Sequence, residues 1–116
     1  MSYDVSLLCT CCGNPLHSEV HRQDGGTYIL GGTGACRLNV TYNYSDQFKP
    51  HFDGGLWLLD GKSASEMIPV LEHAVTELGT ERALDYWEPT PGNAGYALSI
   101  LLGWAQEHPE GKFEVE

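Results

Sequence analysis

Residues 36–43 read Cys36-Arg37-Leu38-Asn39-Val40-Thr41-Tyr42-Asn43 and alternate apolar with polar side chains. A period of two residues places every second side chain on one face of an extended chain, so this segment is predicted to be a half-buried β-strand. The predicted apolar face carries Leu38, Val40 and Tyr42, and the opposite face carries Arg37, Asn39, Thr41 and Asn43. This is the clearest strand signal in the chain.

The segments before this strand also have the pattern of short strands separated by turns. Residues 3–9 and 16–22 alternate in the same way and are separated by the turn residues Gly13-Asn14-Pro15. This arrangement predicts a hairpin over the first 22 residues. Residues 27–30 are predicted to form a further short strand between glycine-rich turns.

The segments after it have the pattern of helices. Ser63 and Glu66 have the spacing of a capping box, and apolar residues then follow at helical spacing as far as Gly79. Pro69 conflicts with that start and predicts a kinked first turn or a later one. A second, strongly apolar helix is predicted from a cap at Asn93 through His108. Residues 80–87 are a candidate short helix, residues 44–55 a loop or short helix, and residues 112–116 a final edge strand.

The order of these elements predicts the fold class. Strands, then two helices, then a closing strand indicate an α+β fold with a mainly antiparallel sheet and two principal helices packed on one face. The 116 residues are expected to form a single globular domain, residues 1–116, since a domain typically spans about 100 to 200 residues.

The charge is strongly and unevenly acidic. The net charge is −10, and residues 53–116 carry twelve acids against three bases. Nucleic-acid affinity depends largely on Lys and Arg, so direct binding to nucleic acid is disfavoured, as is binding to anionic membranes. An acidic surface of this kind is suited to a basic partner protein or simply to solubility.

The N-terminus and the cysteines bear on compartment and on metal binding. No signal-peptide pattern is present at the N-terminus, so we expect a cytoplasmic protein with reduced thiols. Cys9 and Cys12 form a C-x-x-C pair before a glycine, which is half of a zinc site. Only Cys36, His17 and His21 could complete it, so a small zinc-binding structural module is an alternative and no cofactor is the main expectation.

The polar face of the strand at residues 36–43 is the candidate ligand site. Asn39, Thr41 and Asn43 would form a row of hydrogen-bonding groups, and Tyr44, His51 and Asn93 would lie at its rim. The alternative interpretation of this row is a solvated sheet face. We identify no complete catalytic constellation, which favours binding over enzymatic activity.

Four stretches of the chain resemble a known family: Gly26-Thr27-Tyr28, residues 38–45, Ile68-Pro69-Val70-Leu71 and Pro91-Gly92-Asn93-Ala94. Together they are similar to small proteins of unknown function from bacteriophages, prophages and their bacterial hosts. The resemblance implies a phage accessory protein in the host cytosol.

Two functions follow as hypotheses. One is non-enzymatic binding of a small ligand such as a nucleotide, for example to sequester a host signal. The other is an acidic inhibitor or adaptor that docks on a basic host protein. The oligomeric state is open in both cases.

Overall fold

The computed structural model describes residues 2–18, 27–29 and 34–116. It contains four strands, β1 (Ser2–Leu8), β2 (Thr27–Ile29), β3 (Arg37–Thr41) and β4 (Lys112–Val115). The strands form one sheet in the order β2-β3-β1-β4, and all neighbouring strands are antiparallel. The helices are α1 (Ser45–Phe48), α2 (Ala64–Leu78) and α3 (Pro91–Glu107), and 3-10 helices span Tyr42–Tyr44 and Leu56–Leu59. The predicted α+β class is confirmed.

The strand register explains how the sheet acquires an apolar face. Val5 of β1 lies opposite both Leu38 of β3 and Val115 of β4, and Leu7 lies opposite Phe113. All of these side chains are buried in one core together with the inner faces of α2 and α3. Each fully buried Leu or Phe contributes roughly 1.5–3 kcal/mol, so this shared face is the main source of stability.

The predicted N-terminal hairpin is seen at its turn, and its second arm is described only as far as residue 18, so the rest of that arm stays a prediction. The Leu8–Pro15 bridge and a hydrogen bond from the N–H of Leu16 to the carbonyl of Leu7 (2.9 Å) close this turn, whereas the principal partners of β1 are β3 and β4. β3 and β4 lie on the two sides of β1, and each places alternate apolar residues beside it. Residues 19–26 lie outside the described part of the chain.

Helix α2 begins at its predicted cap and continues through Pro69, so the alternative of a later start is wrong, and a kink near Pro69 stays a prediction. Ser63 and Glu66 form the full capping box. The first turn is also fixed from outside, because the N–H groups of Ala64 and Ser65 donate to carbonyls of the connection that precedes β4, at 2.8 and 3.0 Å. These bonds hold the helical start in place ahead of Pro69.

Helix α3 begins two residues before its predicted cap. Thr90 is the cap, with its hydroxyl accepting the N–H of Asn93 at 3.2 Å, and Pro91 occupies the first helical position, where its missing N–H costs nothing. Asn93 therefore lies inside the first turn. No helix forms over residues 80–87, which connect α2 to α3 as an irregular loop.

None of the helices in the described ranges is long and apolar enough to cross a bilayer.

Candidate functional site

The predicted polar row is divided between different environments. Asn39 lies on the sheet face away from the helices, where its Nδ2 donates to Ser2 Oγ (2.5 Å) and Asp4 Oδ1 (2.7 Å). Thr41 is the last residue of β3, and its hydroxyl accepts the N–H of Asn43 at 3.2 Å. Both side chains are buried. Their hydrogen-bonding groups are thus engaged within the protein.

Asn43 does not belong to the strand. Because β3 ends at Thr41, Asn43 falls in the following 3-10 helix, and the prediction that three side chains share one strand face is wrong for this residue. The cap formed by Thr41 turns the chain at that point. Ligand binding by Asn39, Thr41 and Asn43 stays a prediction, and a ligand would have to displace the bonds that each now makes.

Asn43, predicted in the polar row, and Tyr44, predicted at its rim, donate to the protein's own backbone instead. Residues 83–89, which we call the 83–89 loop, accept hydrogen bonds at three carbonyls from side chains of the 3-10 helix and α1. The pairs are Asn43 with Trp87 (2.9 Å), Tyr44 with Tyr86, and Gln47 with Pro89 (3.0 Å). Burial raises the pKa of the Tyr44 phenol, and the nearby Arg82 charge opposes that shift, so Tyr44 stays a neutral donor.

Asn93 is the principal support of the 83–89 loop. Its Oδ1 accepts the N–H of Ala83 at 3.0 Å, while its Nδ2 donates to the carbonyls of Asp85 (3.0 Å) and Glu88 (2.9 Å). The side chain is 1% exposed. One amide thus uses both of its donors and its acceptor on three points of one loop.

The start of the connection between α2 and α3 lies directly on α3. A Cβ on Gly92 would lie 1.8 Å from the carbonyl oxygen of Glu81, and a Cβ on Gly95 would lie 1.8 Å from that of Gly79. Only glycine allows this approach. The Arg82 guanidinium then stacks on two tyrosine rings, 3.8 Å from the centroid of Tyr86 and 4.2 Å from that of Tyr96.

The side chains of the 83–89 loop, in contrast to its backbone, face solvent. Leu84 is fully exposed, and Trp87 and Tyr86 are 48% and 37% exposed. The only other large hydrophobic residue of comparable exposure in the described ranges is Trp57, at 43%. A fixed backbone that presents large apolar side chains to water is a feature of binding surfaces.

His51, a predicted site residue, lines a cleft. The cleft has a volume of about 430 Å³ and is also lined by Pro50, Pro69, Val70, His73 and Glu77. The His51 and His73 rings meet edge to face with centroids 5.8 Å apart, and His73 Nε2 lies 3.8 Å from Glu77 Oε1. This volume is within the usual range for small-ligand sites.

The predicted zinc site would draw on the turn that carries Cys9, Cys11 and Cys12. Cys11 and Cys12 are exposed, Cys9 is partly exposed, and Cys36 is buried. Hydrogen bonds from the backbone of Cys12 and Cys11 lower the pKa of the Cys9 thiol. No group of three or more His, Cys, Asp or Glu side chains among the described residues is arranged to hold a metal ion. His21 lies outside those residues, so its part in the alternative stays a prediction.

No family model, curated protein or solved structure matches the chain. The predicted resemblance to phage proteins therefore stays a prediction.

The exposed residues of the 83–89 loop were missed by the sequence analysis, although a signal exists. Leu84, Tyr86 and Trp87 are large apolar residues in the short segment between Gly79 and Pro89, which the structure shows to be irregular and not the candidate short helix. Such a segment has no regular element through which to bury them.

Proposed function

We propose that this protein is a non-enzymatic docking module that binds a basic partner protein through the 83–89 loop. The observation that carries the proposal is the contrast within that loop. Its backbone is held by buried Asn93 and by side chains from two other elements, while Leu84, Tyr86 and Trp87 are presented to solvent.

The loop has the composition of a binding anchor. Trp and Tyr are the residue types most enriched among those that dominate interface energetics, and truncating such an anchor typically costs 2 kcal/mol or more, on the order of a 30-fold loss of affinity. Because the loop is already ordered, little conformational entropy is lost when a partner binds it. A cleft of about 370 Å³ beside the loop, lined in part by Leu78, Glu81 and Arg82, offers space for a partner side chain.

The charge around the loop favours a basic partner. Within residues 77–88 the chain carries Glu77, Glu81, Asp85 and Glu88 against the single base Arg82. That base is stacked between two tyrosine rings. Complementary charge accelerates association and makes it sensitive to salt. If the chain is a phage accessory protein, as its sequence resemblance implies, the partner is a host protein.

The experiment is affinity capture from a bacterial lysate with three immobilised proteins: the wild type, a Leu84→Ser/Trp87→Ala variant, and Trp57→Ala. Trp57 is the matched control because it is a comparably exposed tryptophan on a different element. We expect a basic protein that the wild type and Trp57→Ala capture at low salt, that high salt releases, and that the loop variant fails to retain.

The affinity of the purified partner then gives the quantitative result. The loop variant should bind at least about 30-fold more weakly than the wild type. Equal capture by all three proteins, or capture that does not respond to salt, would refute the proposal. Thermal unfolding of the loop variant near the wild-type temperature shows that the loss reflects the surface, since the substituted side chains are exposed.

A second candidate is small-ligand binding in the cleft beside His51, which the volume of that cleft favours. A ligand that binds only the folded protein raises its stability in proportion to RT ln(1 + [L]/Kd). A nucleotide and metabolite panel should therefore contain a compound that raises the unfolding temperature of the wild type and not of His51→Ala. A panel with no such compound removes this candidate.

A further inference from the structure

The outer face of the sheet, on the side away from the helices, carries a cleft of about 250 Å³. Its floor is β1, because Asp4, Ser6 and Leu8 alternate with the core residues of that strand and line the cleft. Arg37 of β3 lies opposite Ser6 on one side, and Glu114 of β4 lies opposite it on the other. Adjacent strands are about 4.8 Å apart, so the Cα atoms of Arg37 and Glu114 are separated by roughly 10 Å with Ser6 between them.

Ser6 is the residue of this cleft that points to a ligand. The residue is 8% exposed and lines the cleft, and its hydroxyl has no hydrogen-bond partner among the residues that the structure describes. Buried hydroxyls are nearly always hydrogen-bonded, because removing such a group from water without a replacement partner costs free energy. A polar group of a bound molecule would supply the partner that Ser6 lacks.

Opposite charges border the cleft without neutralising each other. Within the described ranges, the Arg37 guanidinium and the Glu114 carboxylate form no ion pair. The carboxylates of Asp4 and Glu116 line the same cleft, whereas Lys112, which lies opposite Leu8, is not part of its lining. The cleft thus offers one partner for a carboxylate and several for ammonium groups.

The positions of these charges along the sheet match the order of groups in a basic amino acid. Beside Ser6, a guanidinium and a carboxylate stand on opposite sides, as an α-carboxylate and an α-ammonium require. Two residues further along β1, roughly 7 Å away, Asp4 is joined to Glu116 by two backbone hydrogen bonds of 2.9 Å. An extended lysine side chain spans this separation. Asn39 Nδ2 donates to Asp4 Oδ1 at 2.7 Å and so holds that carboxylate in place.

We propose that this cleft binds a free basic amino acid such as lysine. The α-carboxylate binds the Arg37 guanidinium, whose planar fork can donate two parallel hydrogen bonds to it. The α-ammonium binds Glu114 and the Ser6 hydroxyl, and the side-chain ammonium binds the carboxylates of Asp4 and Glu116. The volume of about 250 Å³ lies just below the range that is usual for drug-sized ligands, which suits a molecule of this smaller size.

The test is calorimetric titration of the full chain with three matched compounds. These are L-lysine, cadaverine, which lacks only the carboxylate, and L-norleucine, which lacks the side-chain ammonium. The wild type should bind L-lysine with a stoichiometry of one and should bind each of the other two compounds at least about 10-fold more weakly, because each loses a charge-assisted contact.

Three variants assign the contacts. Arg37→Gln should bind L-lysine at least about 10-fold more weakly while its affinity for cadaverine is unchanged, because cadaverine has no carboxylate for Arg37. Ser6→Ala should weaken lysine binding without lowering the unfolding temperature, since the hydroxyl that it removes has no partner within the described ranges. Glu72→Gln is the matched control, because it removes an exposed carboxylate from α2 and should bind L-lysine as the wild type does.

Three results would overturn the inference. The first is a wild type that binds no lysine. The second is a wild type that binds cadaverine as tightly as L-lysine, because the cleft would then be a general acidic surface for amines. The third is an Arg37→Gln variant that is folded and keeps the lysine affinity of the wild type. The docking loop is tested separately, because the Leu84→Ser/Trp87→Ala variant should bind L-lysine as the wild type does.

Discussion

Replacing Asn93 tests whether the 83–89 loop is held in the way described. Asn93→Ala removes three hydrogen bonds from a side chain that is 1% exposed, and leaves the N–H of Ala83 and the carbonyls of Asp85 and Glu88 without that partner. Each such bond contributes a net of about 0.5–1.5 kcal/mol. The free energy of unfolding should therefore fall by about 3 kcal/mol, a large part of the 5–15 kcal/mol typical of a domain.

Urea denaturation followed by circular dichroism measures this loss. With a denaturant slope of about 1.5 kcal/mol/M, the expected change moves the midpoint down by about 2 M. Asn43→Ala is the control, because that residue donates one bond to the same loop from an exposed position and its loss should cost only about 0.5 kcal/mol. Asn93→Asp keeps the acceptor for Ala83 but has no N–H for the two carbonyls, so it should destabilise the protein at least as much as Asn93→Ala.

Hydrogen exchange locates the effect within the molecule. In Asn93→Ala, the amide of Ala83 should lose its protection, while amides in the sheet should change only through the global loss of stability. A difference of less than about 0.5 kcal/mol between Asn93→Ala and Asn43→Ala, or an Ala83 amide that keeps its protection, would contradict this role of Asn93.

Three further outcomes are expected. Gly95→Ala should lower the free energy of unfolding by about 1–3 kcal/mol, measured by denaturation, because its Cβ would meet the carbonyl of Gly79 at 1.8 Å; a neutral result would contradict the close packing of α3 on that carbonyl. Ser63→Ala should cost about 1 kcal/mol through loss of the α2 cap, and an unchanged urea midpoint would rule this out. Burial, assisted by Glu107, raises the pKa of Cys36 to about 12. The stability that this thiol contributes is therefore complete below the unfolded-state pKa of about 8.5 and is lost as pH rises towards the folded value. Relative to Cys36→Ala, the wild type should lose up to about 1.4 kcal/mol per pH unit in that interval, and parallel stability profiles for the two proteins would contradict the shift.

The architecture was predictable where the signal lies within one segment. Alternation identified β1, β3 and β4, and the capping box located the start of α2 at Ser63. What the sequence missed lies where tertiary contacts decide the outcome. β1 has a possible partner nearby in sequence and better partners far away, and the first turn of α2 is fixed by carbonyls close to β4. Neither contact has a local signature in the sequence.

The candidate site was less predictable, for a specific reason. Asn43, Tyr44 and Asn93 are polar residues near predicted element boundaries, and their sequence pattern is the same whether they bind a ligand or a carbonyl of their own chain. The sequence does not show that the segment between α2 and α3 lies against them. Gly92 and Gly95 were the indirect signal, because glycines within a helical segment often indicate close approach of another backbone.

The same contacts are the reason why we propose docking and not a ligand pocket for this part of the protein. An irregular loop beside a core has backbone groups that need partners, and those groups must be satisfied by protein or by water. Here Asn93, Asn43 and Gln47 supply them, so these amides are not available as a pocket floor without a cost to the loop. These hydrogen bonds hold the loop in one conformation while the side chains of Leu84 and Trp87 are exposed. A partner that covers these exposed side chains would gain apolar burial without having to order the loop first.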